Sequence, residues 1–481
     1  MTATELTAEI FRSFAHTPSR EQVEAVDVFA GFMVSGTPDS VMLMRGSAGT
    51  GKTSIASAIV KTLHRLGQRV VLMAPTGRAA KVFAVNSGMT AYTIHRRIYR
   101  QRTFSGNSTP FNRADNLNRN TLFIVDEASM IANRSQFGEG VFGSGQLLDD
   151  LVGYVYSGNN CRMMLIGDRA QLPPVGENES PALDANTLSG YGLQVFECNI
   201  SEVLRQSEDS GILLNATSIR RKIEHDDTTG LPLIRLKGFA DIVRVNGDEL
   251  IEQISSSYSR AGIDETMVIT RSNKRTNIYN NGIRNMILGR EEELTRGDRI
   301  MVVKNNYHWT RPQQQRKSED DGSPSFLANG DIASVERVSG QRELYGFRFS
   351  EVLLRFPDYD NYEVQVTMLT DSLSAEAPSL TAEQQNRLYE NVLADYADLR
   401  LKADRMKALR EDRFFNALQV KYAYAVTCHK AQGGQWAHVY LDQGYMTDEM
   451  LGNDYYHWLY TAFTRATERL YLVNWPTKQV E

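Results

Sequence analysis

Three cysteines in 481 residues (Cys161, Cys198 and Cys428) are too few and too scattered for a zinc knuckle or a disulfide framework. The fold therefore has to come from packing, and a reducing compartment suits it. No stretch approaches the roughly 18 consecutive apolar residues that a membrane span needs. The opening MTATELTAEIF has no basic segment leading into an apolar one, so no secretory signal is expected. An excess of positive charge is also missing: 53 Lys and Arg stand against 58 Asp and Glu, for a net charge of −5. That excludes a protein that coats nucleic acid through its overall charge. No internal repeat or low-complexity tract stands out. The expectation is a soluble, intracellular (cytoplasmic) chain, without membrane association, of roughly three domains.

The charge that is present is unevenly placed. Residues 61–119 hold eleven Lys or Arg and one acid, Asp115. A basic segment in an acidic chain fits a localised polyanion site, although a solvated basic face reads the same way. Its tail, Arg96–Arg119, interleaves Phe104 and Phe111 with basic residues, a composition suited to stacking on unpaired bases.

Short apolar runs alternate with helical patterns, which indicates an α/β fold with parallel sheets. Val41–Met44, Arg69–Ala74, Leu122–Val125 and Met163–Ile166 read as strands, and Thr53–Leu66 and Gly77–Asn86 as helices. The pattern restarts with helix Ser210–Glu224, strand Ile242–Val245, helix Glu249–Ser259, strand Met267–Thr270 and helix Asn273–Leu288. It finishes with Ala437–Leu441, Tyr455–Thr467 and Arg469–Val473 as strand, helix and strand. Between these parts, residues 295–370 carry alternating strands such as Arg299–Val303, Ile332–Val338 and Tyr362–Leu369, with turns at Gly297-Asp298 and Asn329-Gly330-Asp331. They suggest a small β-barrel. Arg311–Ser325 reads as a polar loop or hairpin tip, and Thr381–Arg413 as one or two charged helices with a solvated face.

Gly46-Ser47-Ala48-Gly49-Thr50-Gly51-Lys52-Thr53 fits GxxxxGK[ST], between a predicted strand and a predicted helix. Such a loop turns backbone N–H groups, including that of Ser54, toward phosphate oxygens at a helix N-terminus. Lys52 would reach the β- and γ-phosphates and Thr53 would ligate Mg²⁺. Leu122–Val125 runs into Asp126-Glu127: Asp126 suits the metal and Glu127 the polarisation of an attacking water. Leu165-Ile-Gly167-Asp168-Arg-Ala-Gln171-Leu-Pro173-Pro174-Val175 is another strand ending in polar groups, with Gln171 the candidate γ-phosphate sensor.

Taken together, these segments resemble a superfamily 1 helicase of the B type, close to the RecD-like and Dda-like enzymes. Thr17-Pro-Ser-Arg-Glu-Gln22 resembles the Q motif, in which Gln22 would read adenine. Ala74-Pro75-Thr76-Gly77-Arg78-Ala79-Ala80 resembles motif Ia and Thr93-Ile94-His95 motif Ib, both DNA contacts in the family. Asp126-Glu127 resembles motif II, and Gly167–Val175 matches the family's GDxxQLPPV. Val203-Leu204-Arg205-Gln206 resembles motif IV, with Arg205 at the γ-phosphate. Thr427-Cys-His429-Lys430-Ala-Gln432-Gly433 resembles motif V, with Thr427, His429 and Gln432 toward DNA and Gly433 toward ATP. Tyr460–Ala466 resembles motif VI, with Arg465 as the arginine finger. Gly434-Gln435 departs from the family, which often has Ser or Thr and Glu there.

The resemblance implies two RecA-like P-loop NTPase domains: 1–204, with a pin insertion at about 96–120, and 205–294 joined with 414–481. It assigns 295–413 to an SH3-like β-barrel and helical insertion in the second domain. It further implies ATP and Mg²⁺ as cofactors, single-stranded DNA and single-strand/duplex junctions as partners, replication or recombination proteins as associates, a monomer, and 5′→3′ movement. Phe104 or Phe111 would stack at the junction. Tyr307, His308 and Trp309 would either touch single strands or pack the barrel. An RNA helicase of the same superfamily and an ATP-driven nucleoprotein remodeller remain open alternatives.

Overall fold

A computed structural model describes residues 1–14, 17–101, 111–134, 144–202, 209–310, 324 and 326–481. Phe104, Arg205 and most of Arg311–Ser325 lie outside the described residues. Among the described residues no helix is long and apolar enough to cross a membrane.

The first domain is built on six parallel strands. In sheet order they are Ala91–Thr93, Arg69–Ala74, Thr121–Val125, Arg162–Gly167, Ser40–Gly46 and Gln194–Ile200. Their near-continuous apolar runs reflect burial on both faces. Val41, Leu43, Phe123, Val125, Met163 and Leu165 point into one core. The alternate residues Met42, Met44, Leu122, Ile124, Met164 and Ile166 point into the other. Period-two alternation thus separates two cores without any polar residue to mark it in the sequence.

The second domain holds five parallel strands, in the order Ala425–Thr427, Thr266–Thr270, Trp436–Asp442, Ala466–Val473 and Ile242–Val245. The expected helix Asn273–Leu288 is α-helical over Asn273–Gly282 and continues as a π-turn over Ile283–Ile287. The expected helix Tyr455–Thr467 begins at Asn453 and stops at Phe463, because Ala466 already pairs with Trp436 in the next strand.

The barrel closes with five strands: Arg299–Val302, Ile332–Leu344, Phe347–Phe356, Tyr362–Leu369 and Leu418–Tyr422. The sequence reading missed Phe347–Phe356, whose residues alternate only imperfectly. The barrel also extends past the 295–413 segment. Leu418–Tyr422 is buried throughout and reads in isolation as a second-domain strand; only its pairing with Arg299–Val302 and Tyr362–Leu369 makes it a barrel strand. The charged helices, Ala382–Ala394 and Lys402–Glu411, do not have only a solvated face. Leu388, Val392 and Leu409 pack on Phe347 and Phe349 of the barrel. Trp309 packs against the main barrel core and donates from Nε1 to the Asn416 carbonyl at 3.0 Å.

Asp298 anchors the barrel to the second domain. It has no exposed surface and takes two bonds from Arg284 (3.0 and 2.9 Å), one from Arg290 (2.8 Å), one from the Thr295 N–H (2.8 Å) and one from Tyr424 Oη (2.9 Å). Burial alone would raise its pKa; the bonds from Arg284, Thr295 and Arg290 outweigh that and hold the carboxyl below its ordinary value. Its contribution is therefore present above the unfolded-state carboxylate pKa and lost as pH falls through the folded one. Asp298→Ala would strand Arg284 in the interior. The expected cost is about 3–5 kcal/mol, read as a lowered Tm at neutral pH, with the gap to wild type narrowing in acid.

Candidate nucleotide and nucleic-acid site

The Gly46–Thr53 loop follows strand Ser40–Gly46 and opens helix Lys52–Arg65. Gly49 (φ +78°) and Gly51 (φ +82°) hold left-handed conformations that side chains disfavour. A Cβ at Gly46 would lie 2.9 Å from Thr50 Oγ1 and 3.1 Å from the Ile200 carbonyl, so the loop cannot tolerate one. Gly51 caps the helix without a side-chain bond, which leaves the first-turn N–H groups for an anion. Lys52 Nζ donates to the Ser47 carbonyl at 2.7 Å and Thr53 is exposed.

Strand Thr121–Val125 delivers Asp126 and Glu127, and strand Arg162–Gly167 delivers Asp168. These two strands neighbour each other, and the second neighbours Ser40–Gly46, so three consecutive carboxyl edges carry the loop, the acid pair and the Asp168 turn. Burial, then the charge of Glu127, pushes Asp126 up to about 7 against the opposing pull of Lys52. Glu127 sits at φ +53°, a left-handed conformation rare for a non-glycine and typical of functional turns. A cavity of about 650 Å³ is lined by Gly46, Ser47, Asp168 and Ala170 on one side and His457 on the other.

The second domain grips this edge through one stripe of a buried helix. In Asn453–Phe463, His457, Tyr460 and Thr461 follow i, i+3, i+4 spacing and face the Asp168–Leu172 loop. His457 Nδ1 lies 2.9 Å from the Ala170 carbonyl and 3.1 Å from that of Gln171. Thr461 Oγ1 accepts the Leu172 N–H at 2.7 Å, and Gln432 Nε2 donates to the Leu172 carbonyl at 2.7 Å. Tyr460 Oη accepts the Ala48 N–H at 3.0 Å and donates to Asp168 at 2.6 Å.

Several of the residues singled out from the sequence already have protein partners. Gln22 is fully buried; its oxygen accepts from the Ser19 N–H (3.0 Å) and its nitrogen donates to the Thr50 carbonyl (2.9 Å), so it braces the phosphate loop. Gln432, read as a DNA contact, is spent on Leu172. Gly433, read as an ATP contact, lies against motif Ia: a Cβ there would sit 3.0 Å from Thr76 Oγ1 and 3.2 Å from Ala79 Cβ. Arg465 is buried and donates to the Thr461 carbonyl (3.0 Å), the Gly434 carbonyl (3.2 Å) and Thr464 Oγ1 (3.0 Å), all within its own domain. His95 packs against Tyr99 (5.6 Å) and Phe326 (6.2 Å), and burial lowers its pKa to about 4, so it stays neutral and carries no charge toward a phosphate.

Pro75 and Thr76 follow strand Arg69–Ala74, where Thr76 caps the next helix through the Ala79 N–H (3.2 Å). Thr93 ends the neighbouring strand and caps Ile94–Ile98. Thr427 caps Cys428–Ala431 without a side-chain bond, and His429 is exposed. Gln171 is buried, and its Oε1 finds no hydrogen-bond partner among the described residues. The backbone of Phe111 belongs to a two-stranded ribbon, Tyr99–Gln101 with Phe111–Arg113, inside the expected pin; the side chain lies outside the description.

Two features were missed. The polar stripe of Asn453–Phe463 was legible as His, Tyr and Thr at helical spacing in an otherwise aromatic helix. Arg220 carried no signal, since Arg220-Arg221-Lys222 reads as a solvated basic run. It is buried, and it donates to Ser47 Oγ of the phosphate loop and to the Ser201 carbonyl at 3.3 Å.

Residues 18–225 match the family model of an AAA domain, and residues 422–473 that of a UvrD-like helicase C-terminal domain. The chain is 33% identical over 158 residues to the ATP-dependent RecD2 DNA helicase of Deinococcus radiodurans, covering 33% of this chain and 18% of that protein. It is 26% identical over 263 residues to the ATP-dependent DNA helicase dda of Enterobacteria phage T4, covering 54% and 55%. An uncharacterized protein of Methanocaldococcus jannaschii is 22% identical over 95% of this chain and 39% of its own length. The chain thus spans well under half of the archaeal and RecD2 relatives. Among solved structures, a Pif1 helicase from Bacteroides in complex with ADP-AlF3 and ssDNA is 15% identical, with a TM-score of 0.46 over 96% of this chain and 94% of that one.

The departure at Gly434 has a physical cause. A Cβ there would lie 2.6 Å from the Trp436 indole, whose face carries the Arg78 guanidinium at 4.4 Å across the domain boundary. Gly434→Ser should displace the indole and cost about 1–3 kcal/mol, measured as a lower Tm with altered tryptophan fluorescence.

Proposed function

We propose, from the premise that this chain belongs with the superfamily 1 helicases of the RecD- and Dda-like type, that it is an ATP-dependent DNA helicase. It tracks single-stranded DNA 5′→3′ as a monomer and opens duplexes at the junction. One observation carries this reading. The phosphate loop, the Asp126-Glu127 pair and the Asp168–Leu172 loop converge on three neighbouring strand ends, and the second domain docks on them through His457, Tyr460, Thr461 and Gln432.

The first-turn amides and Lys52 would hold the ATP phosphates, and Glu127 would polarise the attacking water. Asp126 and Thr53 fit Mg²⁺: hard oxygen donors, one of them a carboxyl whose charge is disfavoured until a cation arrives. Bound there, Mg²⁺ would neutralise charge on the β- and γ-phosphates. Arg465 would leave its three bonds within the second domain to act as the finger, so hydrolysis would require a rearrangement at the cleft. Opening and closing of that cleft would move the Thr76 and Thr93 contacts relative to those at Thr427 and His429. Separating one base-pair step costs about 1.4 kcal/mol, within reach of one ATP.

Hydrolysis measured without nucleic acid, then with single-stranded DNA, duplex DNA and single-stranded RNA, tests the reading, with Lys52→Ala as blank. Strong stimulation by single-stranded DNA is expected. Equal rates without nucleic acid would favour a remodelling ATPase, and stimulation by RNA alone an RNA helicase. Arg465→Ala should lower the stimulated rate by about 10³-fold or more; a normal rate would remove Arg465 from the finger role. Tailed duplexes with 5′ or 3′ overhangs then read the polarity.

A further inference from the structure

Two side chains of the second domain hold the leading arm of the phosphate loop. Tyr460 Oη accepts the Ala48 N–H at 3.0 Å and donates to Asp168 Oδ2 at 2.6 Å, while Arg220 donates to Ser47 Oγ. The other oxygen of Asp168 takes the Ala170 N–H at 3.0 Å, so the carboxylate is fixed on both sides. The trailing arm is held from within the first domain, by Gln22 on the Thr50 carbonyl. The leading arm, whose Ser47 N–H also bonds the Ile200 carbonyl at 3.3 Å, therefore answers to both domains, and the trailing arm to the first alone.

We propose that Tyr460 is a positioning residue for ATP hydrolysis: its hydroxyl ties the leading arm of the phosphate loop to the Asp168 turn, so the loop takes its reactive shape only while the second domain is docked. This rests on the ATPase reading above. A buried phenol-to-carboxylate bond is charge-assisted and short, hence strong and directional. Burial and the neighbouring Asp168 hold the Tyr460 pKa well above its usual value, so the phenol remains a donor at working pH. The ring is buried in the interface whether or not it carries oxygen. Tyr460→Phe therefore keeps the packing and removes both bonds, leaving Ala48 N–H and Asp168 Oδ2 without that partner. Lys52, Thr53 and the trailing amides are untouched, so nucleotide binding should survive while turnover suffers.

The test compares wild type, Tyr460→Phe, Asp168→Asn and the double variant in the full chain. The readouts are single-stranded-DNA-stimulated hydrolysis, the Kd of a fluorescent ADP analogue, and Tm. Tyr460→Phe is expected to lower kcat by about 10- to 100-fold, with the Kd held within about two-fold and a modest drop in Tm from the partners left unpaired. Because the two residues share the Tyr460–Asp168 bond, the losses in the double variant should be less than additive. An unchanged kcat in Tyr460→Phe overturns the proposal. So does a parallel loss of Tm and nucleotide affinity, which marks a purely structural role, and so do fully additive losses in the double variant. A wild-type chain that hydrolyses no ATP overturns the earlier reading and this one with it. A wild type that hydrolyses ATP alongside an unaffected Tyr460→Phe overturns this one alone.

Discussion

Leu172 gives its N–H to Thr461 and its carbonyl to Gln432, and the relation between the two sheets depends on this pair of bonds across the cleft. The helix that supplies Thr461 is buried from Tyr455 to Phe463. A polar group on such a helix is costly unless it is matched, and each hydroxyl or imidazole on its stripe finds its match on the Asp168–Leu172 loop. A rotation of the helix by one residue, about 100°, would leave the stripe facing apolar neighbours and the loop's backbone unpaired. Buried polar satisfaction therefore fixes how the domains meet more narrowly than apolar packing could.

The barrel extends that constraint to the expected DNA side. It shares a core with the second sheet, where Val268, Tyr440 and Tyr471 join Ile300, Val335 and Leu354. It also touches the helix that begins motif Ia: a Cβ on Gly77 would come within 2.7 Å of Tyr359 Oη, and Lys81 Nζ donates to the Pro357 carbonyl at 2.7 Å. Asp331, beside Tyr359 at this contact, is pushed up to about 7 by burial. The insertion is thus continuous with one domain and closely seated on the other. Contacts at Gly77, along the Arg78–Trp436 stack and between His95 and Phe326 would all take part in any change at the cleft.

Much of the fold was legible because parallel strands buried on both faces are short apolar runs, and their ends are marked by Gly, Asp and Pro. Arg69–Ala74, Ile242–Val245 and Tyr362–Leu369 have the bounds their sequences suggest. The phosphate loop was legible because its chemistry requires glycine at fixed places. Less legible was anything whose partner is distant. Leu418–Tyr422 carries no mark of the barrel, and His95 sits among motif residues yet packs on Phe326 from the insertion. Gln22, Gln432 and Gly433 fall in motif positions, but their neighbours in space are the phosphate loop, the Leu172 carbonyl and Thr76.

The sequence by itself determined the local chemistry. It set the left-handed turns at Gly49 and Gly51, the acids ending Thr121–Val125, the alternation of strand and helix, and the motif order that ties this chain to its relatives. These depend on residues near one another along the chain, where backbone sterics and periodicity act. Tertiary structure alone decided which side chains meet across the cleft. Tyr460 lies 412 residues from Ala48 and 292 from Asp168, and no local pattern specifies that a phenol on one helix will bridge them. That contact exists because two sheets dock through one buried polar stripe, and its geometry is set by matching His457, Tyr460 and Thr461 to the loop they face.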